Sequence, residues 1–208
     1  MSYIGPKVHI DLHQLKKNYQ LVKSEVGEIP IMATVKANAY GHGAIKISKA
    51  LEREGVRYLA VFTIDEGIEL RDAGIKTDIF IYAKFDPKRI EEASKYNLTL
   101  NISSFNDLKV LKAYDRKPLK VHLKIDTGMT RLGVPLEQAE AFLKEANQIN
   151  SIELEGLYSH FATADEGELS YANSQLSKFN DVVEISKKLE MSITFVHCSN
   201  SGAILNVR

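Results

Sequence analysis

Residues 31–43 read Ile-Met-Ala-Thr-Val-Lys-Ala-Asn-Ala-Tyr-Gly-His-Gly, an apolar run that ends on Lys36 and passes into a turn of small residues carrying Tyr40. Such a run predicts a buried strand. A lysine at the end of a buried strand is expensive, because burial penalises the ammonium form and lowers its pKa. Lys36 is therefore better placed than a surface lysine to offer a neutral amine for Schiff-base chemistry. The alternative is a stem that lies along the strand with its ammonium in solvent. Gly41 and Gly43 allow the backbone to turn tightly near a ligand. A dinucleotide fingerprint in Gly41-His42-Gly43 fails, since Lys46 stands where the third glycine is needed.

Outward from this stretch, strand-like runs near 31–36, 58–62, 79–82, 98–102, 119–125, 153–158 and 193–197 alternate with amphipathic helical stretches, the pattern of βα units on a parallel sheet. Asp11 opens a further helix over 11–26, with Leu12, Leu15, Tyr19 and Val22 along one stripe. Thr63 with Glu66 and Ser104 with Asp107 have the spacing of N-cap pairs, and Gly74 sits where a helix should stop. Eight such units close a barrel whose functional residues lie at the C-terminal ends of the strands. The expected fold is thus α/β, an incomplete (β/α)8 TIM-type barrel of about seven units, in a single domain spanning 1–208.

Composition narrows the function classes. The chain has 208 residues, 44% hydrophobic and 26% charged, ordinary for a soluble globular domain. Lys plus Arg equals Asp plus Glu at 27 each, so no global field recruits nucleic acid or an anionic membrane. The start, Met-Ser-Tyr-Ile-Gly-Pro-Lys, has no apolar signal core, and no segment has the length to span a bilayer, which makes the cytoplasm the expected location. The single cysteine, Cys198, excludes an internal disulfide and reads as a small core residue. His9 and His13 are four apart but lack a third ligand nearby, so no metal site is proposed.

Three later strand ends carry further polar groups. In Val121-His122-Leu123-Lys124-Ile125-Asp126-Thr127-Gly128-Met129-Thr130-Arg131, alternation puts His122, Lys124 and Asp126 on one face, toward the barrel interior, where three ionisable groups demand partners. Lys124 could pair with Asp126 or another carboxylate. Residues 156–165, Gly-Leu-Tyr-Ser-His-Phe-Ala-Thr-Ala-Asp, end a strand on His160, which could equally be a core histidine bonded to a backbone carbonyl. Val196-His197-Cys198-Ser199-Asn200-Ser201-Gly202-Ala203 leads from the last strand into a helix. A helix start bearing Asn, Ser and Gly suits an anion, although plain N-capping by Ser199 or Asn200 is the commoner use of such residues.

The stretch 35–43 closely resembles the pyridoxal-phosphate lysine motif of alanine racemases, and the three later motifs resemble that family's segments in the same order. The resemblance runs from about Val8 to the end of the chain. It implies pyridoxal 5'-phosphate bound to Lys36, with Tyr40 and Ser201 on its phosphate, Asn200 lining the site and His160 packed against its ring. It also implies that Lys124 is carboxylated by carbon dioxide and holds Arg131, which addresses the substrate carboxylate. The implied activity is two-base interconversion of L-alanine and D-alanine for cell-wall peptidoglycan, in a homodimer. Lys36 would serve as one base.

The family also has an eighth barrel strand and a C-terminal β domain bearing the second base, neither of which is found in these 208 residues. The sequence is therefore expected to be an N-terminal fragment without racemase activity of its own. Its two unpaired strand edges would be covered by self-association or rearrangement. The alternatives are a single-barrel pyridoxal-phosphate carrier and an amino-acid decarboxylase of the same fold. An enzyme needs Arg131 with Lys124 for an amino-acid carboxylate, whereas a carrier does not.

Overall fold

Asp11 sets the first helix: its carboxylate accepts from the backbone N–H of His13 at 2.8 Å and of Gln14 at 3.1 Å, and α1 runs Leu12–Val26. In this computed structural model, which describes residues 7–207, only Tyr19 of the expected apolar stripe is buried and Leu12 remains 40% exposed. The readings that fell on residues 1–6 and on Arg208 lie outside the described residues.

Seven parallel strands follow in sequence order: β1 (Met32–Thr34), β2 (Tyr58–Val61), β3 (Asp78–Ile81), β4 (Leu98–Ile102), β5 (Leu119–Asp126), β7 (Ile152–Tyr158) and β8 (Phe195–His197). They correspond to the seven expected runs. A two-residue segment not expected from sequence, β6 (Val134–Pro135), pairs with the end of β5. Between them lie α2 (Ala44–Arg53), α3 (Ile64–Asp72), α4 (Ile90–Lys95), α5 (Phe105–Lys112), α6 (Ala139–Ala146) and α7 (Ser170–Lys188), and α8 (Ser201–Asn206) follows β8. Among the described residues β1 and β8 each pair with one neighbour, so the sheet is an incomplete (β/α)8 barrel, open between these strands.

The helix signals act as their chemistry requires. Thr63 and Glu66 form a reciprocal capping box on α3, and Gly74, at φ +87°, follows its end. Ser104 accepts from Asp107 N–H at 3.2 Å, but the Asp107 carboxylate turns to Ser103 N–H at 2.9 Å, so this box is one-sided.

Both faces of the sheet are buried. Leu59, Ile79, Val121, Leu123 and Ile125 pack outward in the layer shared with the helices. Tyr58, Ala60, Phe80 and Tyr158 form a separate interior cluster. At the N-terminal end of the barrel interior, Tyr58 Oη donates to Glu155 and lies 3.0 Å from Thr99 Oγ1. Lys120 Nζ reaches Glu155 at 2.9 Å and Asp78 at 3.7 Å, and Arg57 pairs with Asp78. A register shift makes this possible: Val121 pairs with Leu154 and His122 with Gly156, leaving Glu155 as the bulged residue. Gly156 is needed for a second reason, since a Cβ there would stand 2.4 Å from the His122 ring.

Candidate active site

The strand expected over 31–36 ends at Thr34, and Lys36 opens a left-handed turn over Lys36–Tyr40 instead. Ala37, Asn38 and Ala39 have φ of 50°, 53° and 52° with ψ of 50°, 45° and 49°, and Tyr40 has φ 54°. Left-handed backbone costs a non-glycine residue roughly 1–2 kcal/mol, so four in succession need outside support. Asn38 Oδ1 accepts from Ala44 N–H at 2.8 Å, and the His42 ring donates through Nδ1 to Ala39 carbonyl at 2.8 Å. Gly41 and Gly43 N–H return to the carbonyls of Ala37 and Asn38. The expectation of a buried lysine is corrected here, because Lys36 is half-buried at the mouth of the barrel. Its Nζ lies 5.9 Å from the Tyr82 ring centre and 6.0 Å from that of Tyr40, which is 61% exposed.

Below it, strand ends β3, β4, β5 and β7 supply a polar layer. Tyr82 Oη lies 3.4 Å from Thr34 Oγ1. Tyr158 Oη donates to Asn101 Oδ1 at 2.9 Å, and Asn101 Nδ2 reaches Ala83 carbonyl at 3.2 Å. Lys124 is 7% exposed, with Nζ 4.2 Å over the Tyr158 ring centre. Burial and the neighbouring Arg131 lower its pKa to about 8, against a smaller opposing pull from Asp126. The expected option of a Lys124–Asp126 pair does not form: Asp126 Oδ1 accepts from Gly128 N–H at 2.9 Å and Thr130 N–H at 3.0 Å instead.

His160 reports what converges here. Burial first, and then the charges of Lys124, Arg131 and Lys36, lower its pKa to about 4. The ring is thus neutral near pH 7 and stands within the field of three cations carried by three different segments. Arg131 is exposed, on the loop shaped by Gly128 (φ +139°) and Gly133 (φ +127°), and forms no ion pair among the described residues. At Gly133 a Cβ would meet Asp126 backbone nitrogen at 2.8 Å, so the loop folds directly back on the end of β5.

On β8, His197 Nε2 lies 3.0 Å from His122 Nδ1, and its ring stacks on Tyr158 at 4.8 Å and 6°. Burial pushes the Cys198 thiol up to about 11, in keeping with a core residue. Asn200 caps α8, its Oδ1 accepting from Ala203 N–H at 2.9 Å, which commits one of that oxygen's two lone pairs to the helix. Ser201 is exposed at the first helical position, and Gly202 lies so close to Asp165 that a Cβ would be 2.7 Å from its side chain. Gln175, buried on α7, fixes the loop after β7 by accepting from Ala162 N–H and donating to His160 carbonyl. Tyr82, Asn101 and Tyr158 were not singled out from sequence, although alternation along apolar strands marks each as an interior polar position.

No group of three metal-ligating side chains comes together among the described residues, and none of their helices is long and apolar enough to cross a membrane.

A parallel barrel wall with a half-buried lysine and further cationic side chains at its C-terminal strand ends defines a β/α-barrel protein with a lysine-bearing rim. The chain belongs to the family described as "Alanine racemase, N-terminal domain", whose profile matches residues 10–208. It is 38% identical over 206 residues to alanine racemase 2 of Caldanaerobacter subterraneus subsp. tengcongensis, covering 97% of this chain and 53% of that protein. With the alanine racemase of Halothermothrix orenii it shares 40% identity over 203 residues, covering 96% and 54%. The solved alanine racemase of Clostridium difficile 630 superposes with a TM-score of 0.87 at 34% identity, covering 94% of this chain and 53% of that one. The chain thus spans about half the length of the relatives it matches.

Proposed function

We propose that this chain is the pyridoxal-phosphate-binding barrel domain of an alanine racemase, a cytoplasmic, homodimeric enzyme that interconverts L- and D-alanine for cell-wall peptidoglycan. The observation that carries this reading is the placement of Lys36 and the buried Lys124 at the C-terminal strand ends, Lys36 Nζ 5.9 Å from the Tyr82 ring centre and Lys124 Nζ 4.2 Å over that of Tyr158, in a chain that matches the family over residues 10–208. A phosphate-bearing aldehyde and an amino-acid carboxylate both need cationic groups placed in this way, with one amine free to react. When bound, pyridoxal 5'-phosphate supplies an electron sink that acidifies the substrate α-proton.

Lys36 would anchor the cofactor and, once released, hold or deliver the α-proton at Nζ as one of two bases. Tyr40 and Ser201 would donate hydroxyl hydrogens to the phosphate from the segments that follow β1 and β8, the two strands flanking the opening. Asn200, already committed through Oδ1, retains its amide N–H groups for the site. The uncharged His160 ring would pack against the cofactor face without protonating it.

Lys124 would act through Arg131. With its pKa lowered to about 8, part of the amine is neutral near physiological pH and can attack carbon dioxide. The nitrogen–carbon bond forms, one proton leaves, and a buried cation becomes a carbamate anion able to hold the guanidinium bidentately. Arg131 would then be aimed at the substrate carboxylate. A carrier protein has no use for an uncommitted guanidinium there, so Arg131 favours an amino-acid enzyme over that alternative. A decarboxylase shares the carboxylate requirement, and the family membership favours the racemase.

The test is to add pyridoxal phosphate to the chain, follow the visible band of lysine-bound cofactor, then reduce with borohydride and locate the adduct by mass. The expected adduct is on Lys36, and Lys36→Ala stays colourless. A wild-type chain that stays colourless, or an adduct on another lysine, refutes the proposal.

A further inference from the structure

We propose that Glu66 is the positioning residue of the site, a carboxylate on α3 that holds the left-handed Lys36–Tyr40 turn in its strained form. Its known-looking role is the capping box, in which Oε2 accepts from Thr63 N–H at 3.0 Å. The same oxygen accepts from Phe62 N–H at 2.7 Å. The other oxygen does something a cap does not require: Oε1 accepts from Ala37 N–H at 2.6 Å, 29 residues away in sequence. Ala37 directly follows Lys36 and is the first residue of the left-handed run.

The geometry explains why a carboxylate is needed. Three backbone N–H groups converge on one side chain, and an ionised carboxylate presents acceptors on both oxygens and no donor. Ala37 N–H belongs to the Lys36–Ala37 peptide, so its bond to Glu66 fixes that peptide plane, the point from which the left-handed run departs. With the entry to the turn pinned in this way, Lys36 Nζ stands 6.0 Å from the Tyr40 ring centre and 5.9 Å from that of Tyr82. The remaining ties on the turn, from Asn38, His42, the two glycines and Ala39 N–H to the Val35 carbonyl, are made within the 35–44 segment itself. Glu66 is the hydrogen-bonding side chain that fixes the turn to the next βα unit. Its consequence for cofactor binding rests on the proposed role of Lys36, whereas its hold on the turn does not.

The experiment separates the two. Amide hydrogen exchange by NMR is read at Ala37, Gly41 and Gly43 in the wild-type chain, Glu66→Ala and Thr63→Ala, alongside cofactor titration of each. Thr63→Ala removes the hydroxyl that caps α3 but leaves the three bonds to Glu66. Glu66→Ala is expected to lower protection in the turn at least ten-fold and to weaken cofactor binding by a similar factor, with Thr63→Ala within about three-fold of wild type in both. Adding Ala37→Gly with Ala39→Gly to Glu66→Ala should restore most of the protection at Gly41 and Gly43 and most of the cofactor binding, because glycine adopts positive φ without penalty, while position 37 stays unprotected for want of its acceptor. A role limited to capping α3 predicts no such rescue. If Glu66→Ala does not fold, Glu66→Gln, which keeps one acceptor and sets an amide donor against backbone N–H, is expected to lose at least three-fold in turn protection. Unchanged turn protection in either Glu66 variant, or a rescue that fails, overturns the proposal. Turn protection that responds as expected in a chain that binds no cofactor leaves the tether standing and refutes the proposed function instead.

Discussion

The His122–His197 pair should make the stability of this chain fall steeply in mild acid. Both rings lie in the barrel interior, His122 fully buried, with 3.0 Å between Nδ1 of one and Nε2 of the other. A single proton between those nitrogens satisfies both. Burial holds His197 down to about 3 and drives His122 well below its ordinary value, with the charge of Lys124 adding to the first and His197 and Lys120 to the second. Unfolded, each titrates near 6.5. Below that pH the unfolded chain binds more protons than the folded one, so stability present above 6.5 is lost as pH falls toward the folded values. With His197 held at about 3, the unfolded state's extra protonation between pH 8 and pH 5 costs ~2 kcal/mol for that ring, and His122 adds to the loss in the same direction. Against a total of roughly 5–15 kcal/mol, that loss is decisive.

Urea unfolding at pH 5 and pH 8, at one ionic strength, measures this directly. The informative comparison is with His122→Phe/His197→Phe, in which stacking on Phe80 and Tyr158 is retained while both hydrogen-bonding partners are removed together. The other titrating groups, His160 included, are common to both proteins and cancel. The pH 8 to pH 5 loss should be smaller in the double variant by at least ~2 kcal/mol. A difference below ~1 kcal/mol refutes the claim that these rings are neutral because they are buried.

Gly156→Ala would set a Cβ 2.4–2.6 Å from three atoms of the His122 ring, which stacks on Phe80 at 4.7 Å and is bonded to His197, so it cannot retreat. A cost of ~1–3 kcal/mol, seen by calorimetry as a fall in Tm of roughly 2–12 °C, is expected, and an unchanged Tm contradicts the packing described. Lys124 has a folded pKa of about 8, below the unfolded value, so stability should rise by ~2 kcal/mol between pH 7 and pH 10 as the folded ammonium alone loses its proton. Lys124→Met should lack that rise, and bicarbonate at pH 7 should stabilise only the wild-type chain. Parallel pH profiles for the two proteins would show that Lys124 is not desolvated.

How much of this was legible in the sequence follows the range of the interactions involved. The strands announce themselves because both faces of the sheet are buried, so each is a nearly continuous apolar run. The helix starts are equally local: Asp11, Thr63 and Ser104 act on N–H groups two or three residues away. The two-residue β6 is too short to carry any period. The handedness of the Lys36 turn could not be read, since Ala37 and Ala39 have no intrinsic leaning toward positive φ and take it from tertiary bonds. Glu66 was read as half of a capping box, and that reading was right for one oxygen. The other oxygen's partner lies 29 residues upstream, beyond any local pattern.

The interior layers also explain why charge is left over only at one end of the barrel. At the N-terminal end, Arg57 and Lys120 are matched by Asp78 and Glu155, two positive and two negative groups in direct contact. The middle layer, Phe80 with His122 and His197, carries no charge near neutral pH, its rings packed on one another. At the C-terminal end Lys36, Lys124 and Arg131 converge, and the carboxylate of Asp126 is turned onto backbone N–H groups of its own loop. With the lower charges neutralised locally and an apolar layer between, the upper cations have no counter-ions to spend their field on below them. An anion approaching the rim therefore meets cations whose field is not cancelled from below, as fields in a poorly polarisable interior act over longer distances than in water. The strained turn then adds what the field alone does not specify, an amine held at one place on that rim.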